Sequence, residues 1–168
     1  MLFETTLPQF IKMLNNLNLL IEKAEQHAMA KKFEIDILLQ SRLAPDQFNF
    51  IRQIQIACDT AKLAAHRLTG KEVPTHADTE NTVNELKERI HSTTAYLKTF
   101  TAKDFAESDS KHISQPRWEG KYLTGAEFVQ HHVIPNLYFH ITTAYAILRH
   151  NGVDIGKKDY LGAMPYKV

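Results

Sequence analysis

The sequence predicts an all-α protein built as a four-helix bundle. Three observations carry that prediction. Apolar residues recur at alternating steps of three and four over long segments, the spacing of a bundle seam. Glycine and proline number only 6 each in 168 residues, too few for a turn-rich β fold. Helix start and stop signals bracket the periodic segments where a bundle needs them. A chain of this length is expected to fold as one domain, 1–168.

The first helix is predicted over 8–30. Leu7, Phe10, Leu14, Leu17, Ile21, Ala24 and Ala28 form its seam. Thr6 with Gln9 fits a capping box, and Pro8 is tolerated in a first turn. The second helix is predicted to start at Pro45, a favoured first helical residue, and to stop at Thr69 with Gly70 as the left-handed cap. Its seam is Ile51, Ile54, Cys58, Ala61, Ala65 and Leu68. The alanines at 57, 61, 64 and 65 would let another helix approach closely. Thr82 and Glu85 form a second capping box for a third helix over 82–100. There Val83, Leu86, Ile90, Leu97 and Phe100 face inward, and Glu85, Lys87, Glu88, Arg89 and Lys98 decorate an outer face.

The connection over 101–123 is longer than most in small domains. Within it, HISQPRWEGKYL (112–123) alternates around Glu119-Gly120 and suggests a short β-hairpin or flap, with Trp118 as its anchor. The fourth helix opens at Thr124, with Glu127 completing its box, and ends at Asn151-Gly152. Pro135 should kink or bulge it, because proline cannot donate to the carbonyl of His131 and its ring clashes there. The tail, 153–168, reads as irregular. The connections between the first and second helices and between the third and fourth are long enough for crossovers, so a plain up-down-up-down order is not implied.

Composition narrows function by exclusion. With 43% hydrophobic and 23% charged residues the chain is not disordered. A net charge of +1 leaves no footprint for nucleic acid or an anionic membrane. Phe128 to Leu148 lacks Lys, Arg, Asp and Glu, yet it carries too many polar groups for a lipid-facing span. The opening MLFETTLPQF has no basic run before its apolar residues and does not read as a signal peptide. The expected location is the cytoplasm. Cys58, the single cysteine, reads as an inert core thiol. Phosphate loops, nucleophile elbows, Cys-x-x-Cys and His-Glu-x-x-His are all missing.

Chemistry, if present, falls on the fourth helix and its neighbour. His132, Asn136 and His140 form an i, i+4, i+8 ladder, with His140 within an apolar arc, Asn136 at its edge and His132 on the same border. On the second helix Gln55, Asp59, Lys62 and His66 make one polar stripe, and Asn49, Arg52, Gln53, Thr60 and Arg67 make another. With the first stripe inside, Asp59 and Gln55 meet Asn136 and His140. His140 is then the candidate general base or single metal ligand, and Asp59 orients it. Asn136, Gln55 and His132 bind a ligand, with Tyr138 or Tyr145 nearby. An i, i+4 pair of imidazoles would suit a metal, but the middle rung of this ladder is an amide.

Two motifs are distinctive: SRLAPDQFNFIRQIQIACDTAK, from Ser41 to Lys62, and PNLYFHITTAYAILRHNG, from Pro135 to Gly152, followed by Val153 and then GKKDYLG from Gly156. They resemble an uncharacterised domain-of-unknown-function family of bacteria and fungi within the DinB/YfiT-like metalloenzyme superfamily. The resemblance covers nearly the whole chain. It implies a four-helix bundle with a long crossover, often a homodimer. It also implies a divalent metal held by three histidines, one from the second helix and two, four apart, from the fourth. Some such relatives are thiol-dependent transferases or isomerases. Here the fourth-helix pair reads His132 and Asn136, or Asn136 and His140. The second helix offers Gln55 or Asp59 where a histidine is wanted, and His66 lies near the wrong end. The ligand set for a divalent metal is therefore incomplete. Two readings stand together: a degenerate or metal-free relative of metal-dependent transferases or hydrolases with a polar pocket between the second and fourth helices, or a non-catalytic small-molecule-binding or structural homodimer.

Overall fold

A computed structural model describes residues 2–167. Its long helices are α1 (Leu2–Lys31), α3 (Phe50–Thr69), α4 (Val83–Leu97) and α6 (Ile134–His150), with a short α2 (Asp36–Leu39) between the first two. α3 packs most extensively on α6 and next on α4, while α1 lies against α4 and α6. The consecutive long helices α1 and α3 therefore sit across the bundle from one another, as do α4 and α6, and the chain crosses over twice. Phe10, Leu14, Leu17 and Ile21 of α1 meet Ile54, Cys58 and Ala61 of α3 and Leu137, Ala144 and Ile147 of α6 in one buried core. The alanines of α3 are all buried, which gives this helix the low profile that close packing requires.

The third and fourth helix starts agree with the sequence signals. Thr82 accepts the Glu85 backbone N–H while the Glu85 carboxylate accepts from the Thr82 N–H at 2.9 Å. Thr124 and Glu127 form the same reciprocal cap. At the stops, Gly70 (φ 84°) and Gly152 (φ 86°) adopt the left-handed conformation that glycine tolerates best. The N–H of Val153 reaches back to the Leu148 carbonyl at 3.1 Å, closing α6.

Other boundaries move, each for a local reason. α1 begins at Leu2 and runs through Pro8, so Thr6 is not a cap; its hydroxyl donates to the Leu2 carbonyl at 2.5 Å. Phe3 meets Phe105 edge to face, and that packing anchors the added turn. α3 starts at Phe50 rather than Pro45, because Asn49 supplies a stronger cap: its Oδ1 accepts from the Arg52 N–H at 3.0 Å. α4 ends at Leu97, before Phe100.

Between α4 and α5 (Gly125–Phe128) the chain makes a 3₁₀ turn (Ala102–Phe105), then β1 (His112–Ile113), a second 3₁₀ turn (Pro116–Trp118) and β2 (Leu123–Thr124). The strands pair antiparallel, His112 opposite Thr124 and Ile113 opposite Leu123, so the short hairpin before the last long helix is present. Its tip folds against the bundle through Trp118, 6.2 Å from the Phe128 ring.

The last long helical segment is not continuous α-helix. Val129–Val133 form a π turn, closed by the Ile134 N–H on the Val129 carbonyl, and α6 begins directly before Pro135. The wider turn relieves the clash between the proline ring and the preceding backbone, as the sequence anticipates. The tail is less irregular than expected: α7 (Lys157–Leu161) docks on α1, with the Tyr160 carbonyl accepting from Asn16 at 2.9 Å and Asp159 paired with Lys23 at 2.8 Å. Among the described residues no helix is long and apolar enough to cross a membrane.

Candidate functional site

α3 meets α6 through its second polar stripe, not its first. Asn136 donates from Nδ2 to the Thr60 hydroxyl at 2.7 Å, and His140 Nδ1 lies 2.7 Å from Gln53 Oε1. Residue numbers rise along α3 as they fall along α6, so the two helices run antiparallel. The expected meeting of Asp59 and Gln55 with Asn136 and His140 does not form. Gln55 instead donates to Glu80 at 2.9 Å, and Asp59 binds Arg89 at 2.7 Å and Lys62 at 3.0 Å. A helix turns 100° per residue, and the two stripes lie on opposite sides of α3; choosing the wrong one exchanges every partner.

The first stripe faces α4 and the connection before it, where it joins an ionic network. Arg89, placed by the sequence on an outer face, is fully buried, with its guanidinium on Asp59, Asp78 and Glu80 at 2.7–2.9 Å. Arg52 adds a contact to Asp78 at 2.7 Å. Burial opposes charge on Asp78 and Glu80, but the guanidinium hydrogen bonds outweigh it and hold both carboxyls below their ordinary range. Lys62, also buried, donates to His76 Nδ1 at 2.6 Å, which leaves His76 Nε2 carrying the proton toward Ser92 Oγ at 3.1 Å. This network ties the 70–81 connection to α3 and α4.

His140 is buried, with the Gln53 amide as its hydrogen-bond partner. Burial, and secondarily the Arg52 charge, push it down to about 4, so it is neutral at physiological pH. Cys58 is more deeply enclosed, and burial pushes its thiol up to about 12. Tyr138 is half-buried and Tyr145 stacks edge-on against Tyr160 at the α7 end. His66 Nδ1 donates to the Lys71 carbonyl beyond the end of α3.

A cleft of about 390 Å³ opens where α3, the Pro116–Trp118 turn and the π turn converge. Of the residues singled out from sequence, Asp59, His132 and Asn136 line it, whereas Gln55 and His140 do not. Thr60, Arg67, Gln115 and Arg117 also line it, and sequence reasoning did not select them as site residues. Thr60 and Arg67 belong to the second stripe of α3, seven residues apart on one face, so the signal was present but assigned to the outside. Gln115 and Arg117 come from the hairpin, and helical periodicity is blind to them. The π turn delivers His132 into the cleft. Its ring stacks on Phe128 at 5.4 Å, meets Trp118 edge-on at 5.9 Å, and receives an Arg117 N–H on Nε2 at 3.4 Å. Burial, then the charges of Arg117 and Arg67, lower its proton affinity and keep it neutral.

The donors do not suit the metal that the sequence resemblance implies. The i, i+4 pair is one imidazole and one amide, Thr60 offers a hydroxyl, and the Asp59 carboxylate is already held by two cations. Among the described residues no group of three or more His, Cys, Asp or Glu is placed to hold a metal ion.

The crossed-over bundle places this chain among DinB-like folds, on its likeness to a solved member of that family. A crystal structure of a DinB family member protein from Shewanella denitrificans is 62% identical, with a TM-score of 0.98 over 100% of this chain and 96% of that one. The model of the domain of unknown function DUF1993 matches residues 2–161, and the chain belongs to that family. No curated protein matches.

Proposed function

We propose that this protein is a small-molecule-binding member of the DinB-like bundles that works without a metal, with the cleft between α3 and the π turn as its binding site. One observation carries the reading. The cleft is lined by Asn136, Thr60, His132, Arg67 and Arg117 together with the apolar Ile56, Leu63, Phe128 and Val133. A few polar groups among apolar side chains are the usual make-up of a ligand site. In this reading Asn136 and Thr60 bind polar atoms of the ligand, and His132, whose Nε2 accepts from Arg117, donates from Nδ1. Asp59 keeps the electrostatics of the wall fixed, and the Gln53–His140 pair sets the register of α3 against α6.

Titration of the tag-free protein with a set of small polar molecules, followed by the side-chain NMR signals of Asn136 and His132, tests this. Ligands should move those signals together and raise the melting temperature, and Asn136→Leu should abolish the response. Ligands that bind elsewhere, or a stoichiometric divalent metal bound in the cleft, would overturn the reading.

A further inference from the structure

We propose that the cleft mouth binds the phosphate end of a small organic phosphate monoester, held between Arg67 and Arg117 beside His132. This rests on the small-molecule reading above and gives it a ligand class.

The argument begins with charge. Three cations of the ionic network, Arg52, Lys62 and Arg89, are matched by three carboxylates, Asp59, Asp78 and Glu80. Asp59 is therefore compensated even though it lines the cleft. Arg67 and Arg117 line the same cleft, and among the described residues neither has a carboxylate partner. Arg67 is half-buried and makes no hydrogen bond among the described residues, while Arg117 reaches only the ring nitrogen of His132. Burial and the neighbouring Arg117 charge both disfavour the Arg67 cation, so the two guanidiniums sit within each other's field. A half-buried guanidinium facing an exposed one, with no counter-ion among the described residues, is costly, and an anion between them removes that cost.

A second observation lies on the same wall. Gln115, which precedes the Pro116–Trp118 turn, has its Nε2 buried without a hydrogen-bond partner among the described residues. Rotation of that terminal amide gives a bound oxygen another donor. Two unmatched guanidiniums call for a dianion; a single carboxylate would neutralise only one. The cleft volume of about 390 Å³ exceeds what a phosphate group fills, so the apolar lining takes an organic body.

The test titrates the full tag-free chain with inorganic phosphate at constant ionic strength, reading the His132 ring signals and the melting temperature, with acetate and the small polar molecules in parallel. Saturable phosphate binding that raises the His132 pKa is the expected result. Arg67→Gln and Arg117→Gln should each weaken it about tenfold. Lys98→Gln, on the exposed end beyond α4, should leave it unchanged. Arg117 is exposed, so its variant folds even if Arg67→Gln does not. Phosphate binding indifferent to both substitutions overturns the proposal, as does acetate binding as tightly as phosphate. If neutral molecules move Asn136 and His132 while phosphate does not, the phosphate assignment falls and the binding site stands. If nothing binds, both fall.

Discussion

Gln53 fixes the proton on His140. Its Oε1 lies 2.7 Å from His140 Nδ1, and its Nε2 donates to the Phe48 carbonyl at 3.0 Å, so the amide cannot turn over without losing a bond. Nδ1 must then donate, and Nε2 is left as the unprotonated nitrogen. A charged His140 would be enclosed with Arg52 nearby and, among the described residues, no carboxylate acting on it. The consequence is a pH-dependent stability. In the folded protein His140 titrates at about 4, against an ordinary 6.5. The unfolded chain therefore binds more protons between those values. Stability is fully present above about pH 6.5 and falls as the pH drops toward 4, by roughly 2–3 kcal/mol for this one residue. His76 and His132 are also lowered and act in the same direction. Urea unfolding from pH 7 to 4.5 should show the slope, and His140→Gln should remove its largest share. An unchanged slope in that variant would refute the assignment.

Arg89 presents the opposite case, a buried charge whose two terminal nitrogens are matched by three carboxylates, although its Nε has no partner among the described residues. Replacing it with methionine removes contacts to Asp59, Asp78 and Glu80 at one stroke. Three carboxylates then share Arg52 and Lys62. The expected loss is about 3–5 kcal/mol, the usual cost of breaking a buried ionic cluster from one side. Arg89→Lys should recover little, since one ammonium nitrogen cannot span acceptors that the planar guanidinium reaches from two separate nitrogens. Because the guanidinium is buried, added salt should not rescue either variant. A loss below about 1 kcal/mol in denaturant unfolding would show that the network contributes nothing net.

These two residues also mark what could be read from the sequence. Apolar periodicity specified the bundle and most of its seams, since Leu14, Ile54, Leu86 and Leu137 are all buried. Caps at Thr82 and Thr124 and stops at Gly70 and Gly152 were local signals, and the structure keeps them. Pro135 announced the π turn. The site was harder, because α3 carries two polar stripes and periodicity does not say which one meets α6. Arg89 looked like surface because arginine in a charged segment usually is; its burial depends on carboxylates at 59, 78 and 80, brought together only by the tertiary fold. Arg117 and Gln115 reach the cleft through a hairpin whose docking depends on Trp118 packing against Phe128, a tertiary contact that helical periodicity does not encode.

Gly125 makes the docking of that hairpin testable at the backbone. It opens α5 directly after β2, with ordinary helical geometry, so conformational freedom is not why glycine stands there. Space is the reason. A Cβ at this position would lie 1.8 Å from the Ser108 carbonyl oxygen and 3.0 Å from Leu68 Cδ2. The adjoining Ala126 N–H bonds the Asp109 carbonyl at 3.0 Å, so the two backbones are fastened at this close approach. No rotamer relieves a clash with a main-chain oxygen. Gly125→Ala should therefore cost about 3 kcal/mol or more, although alanine is the better helix former. Ala126→Gly, one residue along and exposed, should cost no more than about 1 kcal/mol. Hydrogen exchange gives the sharper reading: in Gly125→Ala, protection should fall first at Ala126 and in the β1–β2 hairpin, while the α1 and α3 core amides keep their order of exchange. Uniform loss of protection across the molecule would mean that the hairpin is not a separable unit, and that the cleft it borders rises and falls with the whole bundle.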